Sequence, residues 1–291
     1  MVLLPVLTYI SFTFKIQLLQ MKIFKTKNSL IKEISKKKDI SFVPTMGSIH
    51  KGHLSLINKA KKKSANTLVS IYVNHKQFSS TLDFRKYPRN LIKDIKLLKK
   101  TKIKYLYIPN RKDIYSFKTK SPIYLDKFAH KLCGKFRPKH FSGVIDVVNR
   151  FLEIIKPKSM FLGIKDFQQL ELIRSHIHKH KIKTKIIMCP TIREKSGIAL
   201  SSRNIKLDKK QIKIAAKVYK LLKTNKKKIL VKRLNNCKTK IINKIKKIGI
   251  KKIDYLECLN LKTFKIPKKT NASFNIFIAY YIGRVRLIDN L

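Results

Sequence analysis

Short apolar runs alternate along the chain with longer stretches whose apolar residues recur every three or four positions. The runs at Ile40–Val43, Thr67–Asn74, Ile103–Ile108, Ser159–Leu162 and Ile186–Cys189 read as buried strands. Between them, Leu30, Ile31 and Ile34 (capped by Asn28-Ser29), a segment opening at His53-Leu54, Leu91, Ile95 and Leu98, the stretch after Val144 to Ile155, and one ending near Arg174 read as helices. Strand and helix taking turns predict an α/β fold with a doubly wound parallel sheet up to about residue 191. The pattern then changes. Gln211–Leu222 and Leu230–Ile248 read as helices with lysine faces, followed by strand-like runs at Ile253–Leu259, Ser273–Tyr281 and Arg284–Ile288. These predict a smaller C-terminal α+β domain over 192–291, joined by the hinge Thr191–Asn204.

Chemistry gathers where a strand gives way to a helix. In Ser41–Asn58 (SFVPTMGSIHKGHLSLIN) a strand, a loop containing Gly47 and Gly52, and a helix start follow one another, an arrangement that suits a phosphate group. His50 and His53 stand three residues apart in that turn. They suit general acid–base work, metal ligation or donation to a phosphoryl transition state, and metal is disfavoured because no Cys, Asp or Glu stands nearby. Lys165 follows a strand end in Gly163-Ile164-Lys165-Asp166, where it is a candidate phosphate ligand. Gln77 and Gln169 lie at two further strand ends and suit a small polar substrate, with loop capping as the plainer alternative. His176, His178 and His180 do not share one helical face and read as a surface cluster.

Composition changes the picture in one respect. The chain of 291 residues carries 69 Lys and Arg against 15 Asp and Glu, a formal charge of +54, from 58 lysines and 11 arginines. Lysines spread through the whole chain read as solvated surface with weak polyanion attraction rather than as a specific nucleic-acid site. Four scattered cysteines, Cys133, Cys189, Cys237 and Cys258, predict neither a disulfide framework nor a zinc site, which fits a reducing, cytoplasmic setting. Met1–Phe14 is uncharged but too short to span a bilayer, and it lacks the marks of a secretory signal. No membrane association is expected. Residues 1–20 read as a dispensable extension ahead of a start at Met21.

Taken in order, PTMGSIHKGHLSL, VSIYVNHKQF, YPRN, FRPKHFSGV, FLGIKDFQQLELIR and REKSGIALSSRN, with the ending IGRVRLIDN, resemble the pantothenate synthetase (pantoate–β-alanine ligase) family of HIGH-type nucleotidyltransferases. The resemblance covers Met21–Leu291. It implies a Rossmann-like domain over 21–191 and a smaller lid over 192–291. It also implies ATP-dependent condensation of pantoate with β-alanine through a pantoyl adenylate, with magnesium, in a homodimer. Residue by residue, it implies an ATP site at Met46, Gly47, Ser48, Ile49, His50, Lys51, Gly52 and His53, at Gly163, Ile164, Lys165 and Asp166, and at Ile192, Leu200, Ser201, Ser202 and Arg203. His53 matches the catalytic histidine, described as a proton donor, and His50 would stabilise the α-phosphate beside it. Gln77 matches a residue for pantoate and β-alanine, Gln169 one for pantoate, and Asp94 is a weak candidate for the magnesium shell. His75, Ile164 and Lys51 stand where the family usually has proline, glutamate and glutamate, and a looser loop around Gln77 is expected. The competing readings are another HIGH-type adenylyltransferase, or a basic RNA-associated protein that has lost catalysis.

Overall fold

The computed structural model describes residues 21–231, 234–267 and 273–291. The expected extension at 1–20 lies outside them. Six strands form the larger sheet: β1 (Lys22–Phe24), β2 (Ser41–Thr45), β3 (Thr67–Ile71), β4 (Tyr105–Tyr107), β5 (Ser159–Gly163) and β6 (Lys185–Cys189), ordered β1-β4-β3-β2-β5-β6. Every pairing is parallel. Parallel strands are joined through helices that cover both faces, which is why β3 is buried at all five positions, Thr67 and Ser70 included. The covering helices include α1 (Lys27–Ile34), α2 (Lys51–Lys63), the short α3 (Thr81–Arg85), α4 (Leu91–Lys100), the short α5 (Arg111–Tyr115) and α6 (Leu132–Phe136), α7 (His140–Ile155) and α8 (Phe167–Lys179).

Strand order reverses between β2 and β5, the switch point at which doubly wound sheets hold ligands. Those two strands are paired only at Ser41–Ser159 and Phe42–Met160. Pro44 has no N–H to continue a ladder. Beyond it the strand ends part, and the loops after β2 and β5 face one another across the opening.

The second sheet, β7 (Lys252–Asn260), β8 (Phe274–Ile282) and β9 (Val285–Asn290), is antiparallel in the order β7-β8-β9. Its strands are buried on both sides by simple alternation. Ile276, Ile278 and Tyr280 join Val218 and Leu222 of α9 (Lys209–Val231) and Ile241 and Ile245 of α10 (Leu234–Lys247) in one core. Phe277 and Ala279 point the other way and join Phe128, Leu132 and Phe167 in the core of the larger unit. The smaller unit is therefore docked through an apolar face.

Several local expectations are corrected. β1 was not expected. It has three residues and exists through its parallel pairing with β4. Thr26, not Asn28-Ser29, caps α1, its hydroxyl accepting from the Ser29 N–H. β3 stops at Ile71 because Asn74 opens a 3-10 turn, His75–Gln77. α8 runs on to Lys179, which carries His176 into the interior. That residue is fully buried, its Nδ1 accepting from the Tyr124 N–H, with the ring of the partly buried His180 4.7 Å away, so of the three only His178 is exposed.

Candidate active site

A cavity of about 300 Å³ opens at the switch point, between the carboxyl ends of the parallel strands and the edge of the smaller sheet. Its first wall is the loop after β2. Gly47 and Ser48 both adopt positive φ, 76° and 51°, which turns the chain sharply away from the strand. An internal anion holds that turn: Asp94 on α4, 3% exposed, accepts from the N–H groups of Ser48 and Ile49, both at 2.7 Å. A Cβ on Gly47 would stand 2.9 Å from the same carboxylate. The Gly47 N–H donates to the Thr45 hydroxyl, and the His50 and Gly52 N–H groups to imidazoles. The N–H groups expected to face a phosphate are thus largely engaged by the protein itself. Asp94, the weak magnesium candidate, is placed as the brace of this loop and does not line the cavity.

The loop instead offers its two imidazoles. His50 is the N-cap of α2, its Nδ1 accepting from the Gly52 N–H at 3.1 Å, while His53 Nδ1 accepts from the His50 N–H at 3.4 Å. This reciprocal capping explains the H-x-G-H spacing. It also explains Gly52, since a Cβ there would lie 2.8 Å from the His50 ring. Burial, and then the Lys165 charge, lower His50 to about 4; burial, and then His50, lower His53 to about 3. Both rings are neutral at pH 7. With Nδ1 an acceptor, the proton sits on Nε2, so each ring presents an N–H donor rather than an imidazolium.

The opposite wall comes from the turn after β3 and the start of α7. Asn74 accepts from the Lys76 N–H and from the Tyr115 hydroxyl, and donates to the Gly143 carbonyl at 2.9 Å. Gly143 is required for that approach, because a Cβ would lie 2.3 Å from the Lys76 carbonyl oxygen. His75, in the family's proline position, is wedged edge-on between Phe84 and Tyr115. The turn is tied at each of these points despite the substitution. Gln77 is 8% exposed, its Nε2 2.7 Å from Met46 Sδ. Arg137 and His140 meet its carbonyl. Neither was singled out as a site residue, although FRPKHFSGV contains both.

The remaining wall is held by the smaller sheet. Asn290 Nδ2 donates to the carbonyls of Ile164 and Lys165 at 2.9 and 2.8 Å, fixing the loop after β5. Asp289 forms a two-point ion pair with Arg193, at 2.7 and 2.9 Å, fixing the hinge. The family-like ending IGRVRLIDN thus acts through its Asp and Asn on two distant loops. The Ser202 hydroxyl donates to the Ser48 carbonyl at 3.2 Å, and Tyr87 from YPRN also lines the cavity. Lys165 and Arg203 turn into the cavity. Of the expected residues, Met46, His50, Gly52, His53, Gln77, Gly163, Lys165, Asp166, Gln169, Ile192, Leu200, Ser201, Ser202 and Arg203 all line it. Gly47, Ser48, Ile49, Lys51 and Ile164 do not. Gln168, next to Gln169, is structural: it accepts from the Cys133 N–H and donates to the carbonyls of Phe128 and Lys131.

Neutral imidazole donors, a lysine and an arginine at the switch point of a doubly wound sheet define a nucleotide-handling α/β enzyme. Comparison with known proteins narrows this, since the pantoate-beta-alanine ligase family model matches residues 20–291, and the chain belongs to that family. It is an ATP-dependent ligase that joins pantoate to β-alanine. A pantothenate synthetase of Francisella tularensis subsp. novicida is 42% identical over 265 residues, 91% of this chain and 92% of that one. One from Clostridium botulinum is 40% identical over 253 residues, 86% and 90% of the two chains. The crystal structure of the Francisella tularensis pantoate-beta-alanine ligase, complexed with beta-gamma ATP and β-alanine, superposes with a TM-score of 0.79 at 39% identity, over 93% of this chain and 97% of that one. The Thermus thermophilus pantothenate synthetase gives 0.86 at 28% identity, over 93% and 99%.

Proposed function

We propose that the histidine wall serves the first half of a two-step reaction and that the glutamine wall holds the substrates joined in it. In the first, a pantoate carboxylate oxygen attacks the α-phosphorus of ATP, and the bond to the β-phosphate oxygen breaks to release pyrophosphate. In the second, the amine of β-alanine attacks the acyl carbon of pantoyl adenylate, and AMP leaves with the electrons of the broken C–O bond. The observation that carries the first half is the pair of neutral Nε2–H donors on one rigid loop. His50 and His53 hold negative charge on the α-phosphate as it becomes five-coordinate, and being neutral they stabilise by hydrogen bonding rather than by giving up a proton. Lys165, Arg203 and the hydroxyls of Ser201 and Ser202 take the triphosphate, while Gln77 and Gln169 hold pantoate's hydroxyl and carbonyl oxygens.

Magnesium belongs to this proposal. Among the described residues no group of three or more His, Cys, Asp or Glu forms a metal cage. A nucleotide-borne Mg²⁺ needs none, because phosphate oxygens, waters and one carboxylate complete its shell. Asp166, half-exposed in the cavity wall, fits as that carboxylate better than the engaged Asp94. When bound, the ion neutralises phosphate charge.

The division at residue 191, with 192–291 as a lid, is supported by the hinge's contacts to both units. A homodimer in a cytoplasmic setting rests on the family resemblance; among the described residues no helix is long and apolar enough to cross a membrane. The test is ATP–pyrophosphate exchange without β-alanine. Pantoate-dependent exchange is expected from the purified chain, and its absence would refute the adenylate route.

A further inference from the structure

Four cationic side chains line the cavity, and three have acidic partners. Lys165 lies 3.6 Å from Asp166, Arg203 lies 3.7 Å from Asp83, and Arg286 donates to Asp254 at 2.7 Å. Arg137 differs. Its three hydrogen bonds go to neutral acceptors: the Ser79 hydroxyl at 3.4 Å, His140 Nε2 at 3.0 Å and the Gln77 carbonyl at 3.3 Å. Among the described residues no carboxylate is within ion-pair reach of it.

His140 sets this geometry. Its Nδ1 lies 2.6 Å from the Gln77 carbonyl oxygen, which can only accept, so Nδ1 carries the proton and Nε2 offers a lone pair to Arg137. Burial, reinforced by the Arg137 charge, lowers His140 to about 3 and keeps it neutral. Burial, together with Arg203 and Arg286 and partly offset by Cys133 and the more distant Asp83, brings Arg137 down to about 10, still fully charged at pH 7. A guanidinium has five N–H groups, and these contacts use three. A partly buried charge with spare donors, no carboxylate in contact and like charges beside it is costly unless an anion completes it.

We propose that Arg137 receives the carboxylate of β-alanine and that His140 is its positioning residue. This rests on the reaction proposed above. Three anions enter the cavity in that reaction. The triphosphate already has Lys165 and Arg203. Pantoate's carboxylate is the nucleophile and loses its charge on adenylation, so a tight guanidinium clamp would hold it back. The carboxylate of β-alanine passes unreacted into the product and is the one that gains from a permanent counter-charge. Arg137 is tied to the backbone of Gln77, which places that carboxylate beside pantoate. Recognition at this end leaves the amine free to reach the acyl carbon, and it favours ω-amino acids over simple amines.

The test separates the half-reactions. In Arg137→Ala the KM for β-alanine should rise about 100-fold, as expected for losing a two-point charged contact. Pantoate-dependent ATP–pyrophosphate exchange, which uses no β-alanine, should fall by far less than the second half-reaction does. Arg137→Lys should recover part of the KM, and His140→Ala should move it the same way by less. With the unaltered enzyme, propionate should compete with β-alanine and propylamine should be a poor acceptor. An unchanged KM in Arg137→Ala, or lost exchange with an unchanged KM, overturns the assignment. So does failure of propionate to compete, however the variants fold. Absence of exchange in the unaltered enzyme would instead strike at the adenylate route itself.

Discussion

Two of the cavity's walls, that of the histidines and that of Gln77, hold their functional groups by opposite means. The histidine wall is one continuous stretch, Thr45–His53, many of whose polar groups satisfy one another within a few residues, with Asp94, Ser202 and the Ser70 carbonyl as its distant partners. The glutamine wall is assembled from Asn74–Gln77 and Arg137–Gly143, about sixty residues apart in the chain, and it leaves one charge without a partner. A self-sufficient loop has little freedom left and can present fixed donors to a transition state. A wall with an uncompensated guanidinium is complete only with a ligand. On this view the first wall performs chemistry and the second performs recognition.

The largest expected effect is on the first wall. His53→Ala removes one donor from the α-phosphate and, through its Nδ1, half of the capping box; exchange should fall by about 10²–10³-fold or more with the fold retained. Near-normal exchange in that variant would make the histidine wall structural. Next comes Gly143→Ala, whose Cβ would lie 2.3 Å from the Lys76 carbonyl and 2.8 Å from the Gln77 nitrogen. The turn must shift, so KM for pantoate should rise about 10-fold or more, at a stability cost of about 1–3 kcal/mol measured by denaturant melting. A silent Gly143→Ala would mean that the glutamine wall is not fixed by close packing.

Asp94→Ala should cost about 2–4 kcal/mol in stability, because two buried N–H groups lose their acceptor, and Asp94→Asn should cost less, because its amide oxygen can still accept. If both variants lost activity at wild-type stability, Asp94 would be acting on the ligand and not on the loop. The pH dependence reads both walls at once. His50, His53, His140 and His176 lie near 4, 3, 3 and 4, all below the ordinary imidazole value. Between those values and about 6.5 the unfolded chain binds more protons than the folded one. Their contribution to stability is therefore complete above about pH 6.5 and is lost as pH falls towards 4, by up to about 1.4 kcal/mol per pH unit for each histidine. Melting curves from pH 7 to 5 should show that fall, and kcat/KM should show no histidine-dependent limb above about pH 5. An activity that rose as the solution was acidified through 6.5 would point to imidazolium donors.

The contrast also explains what was legible in the sequence. The parallel strands were readable as apolar runs because both their faces are covered, and the order of elements followed. The H-x-G-H spacing was readable because its capping partners are neighbours in the chain. Arg137 and His140 were not picked out, since one arginine of 11 and one histidine of 8 acquire meaning only when folding brings them to the Gln77 carbonyl. The use of the loop N–H groups was misread in part for the same reason, since two of them go to a carboxylate over forty residues away. His176 was misplaced because α8 continues past Arg174, and helix ends are the least sharply encoded feature of a sequence. The ending RLIDN could be matched but not explained until Asp289 and Asn290 were seen holding the hinge and the loop after β5.

The adenylate route on which both walls are read is tested most directly by following one oxygen atom. Pantoate labelled with ¹⁸O in its carboxylate should, on turnover with ATP and β-alanine, deliver one labelled oxygen to the phosphate of AMP, because the acyl C–O bond is the one broken by the amine. Label found in inorganic phosphate, or AMP formed without label, would contradict it.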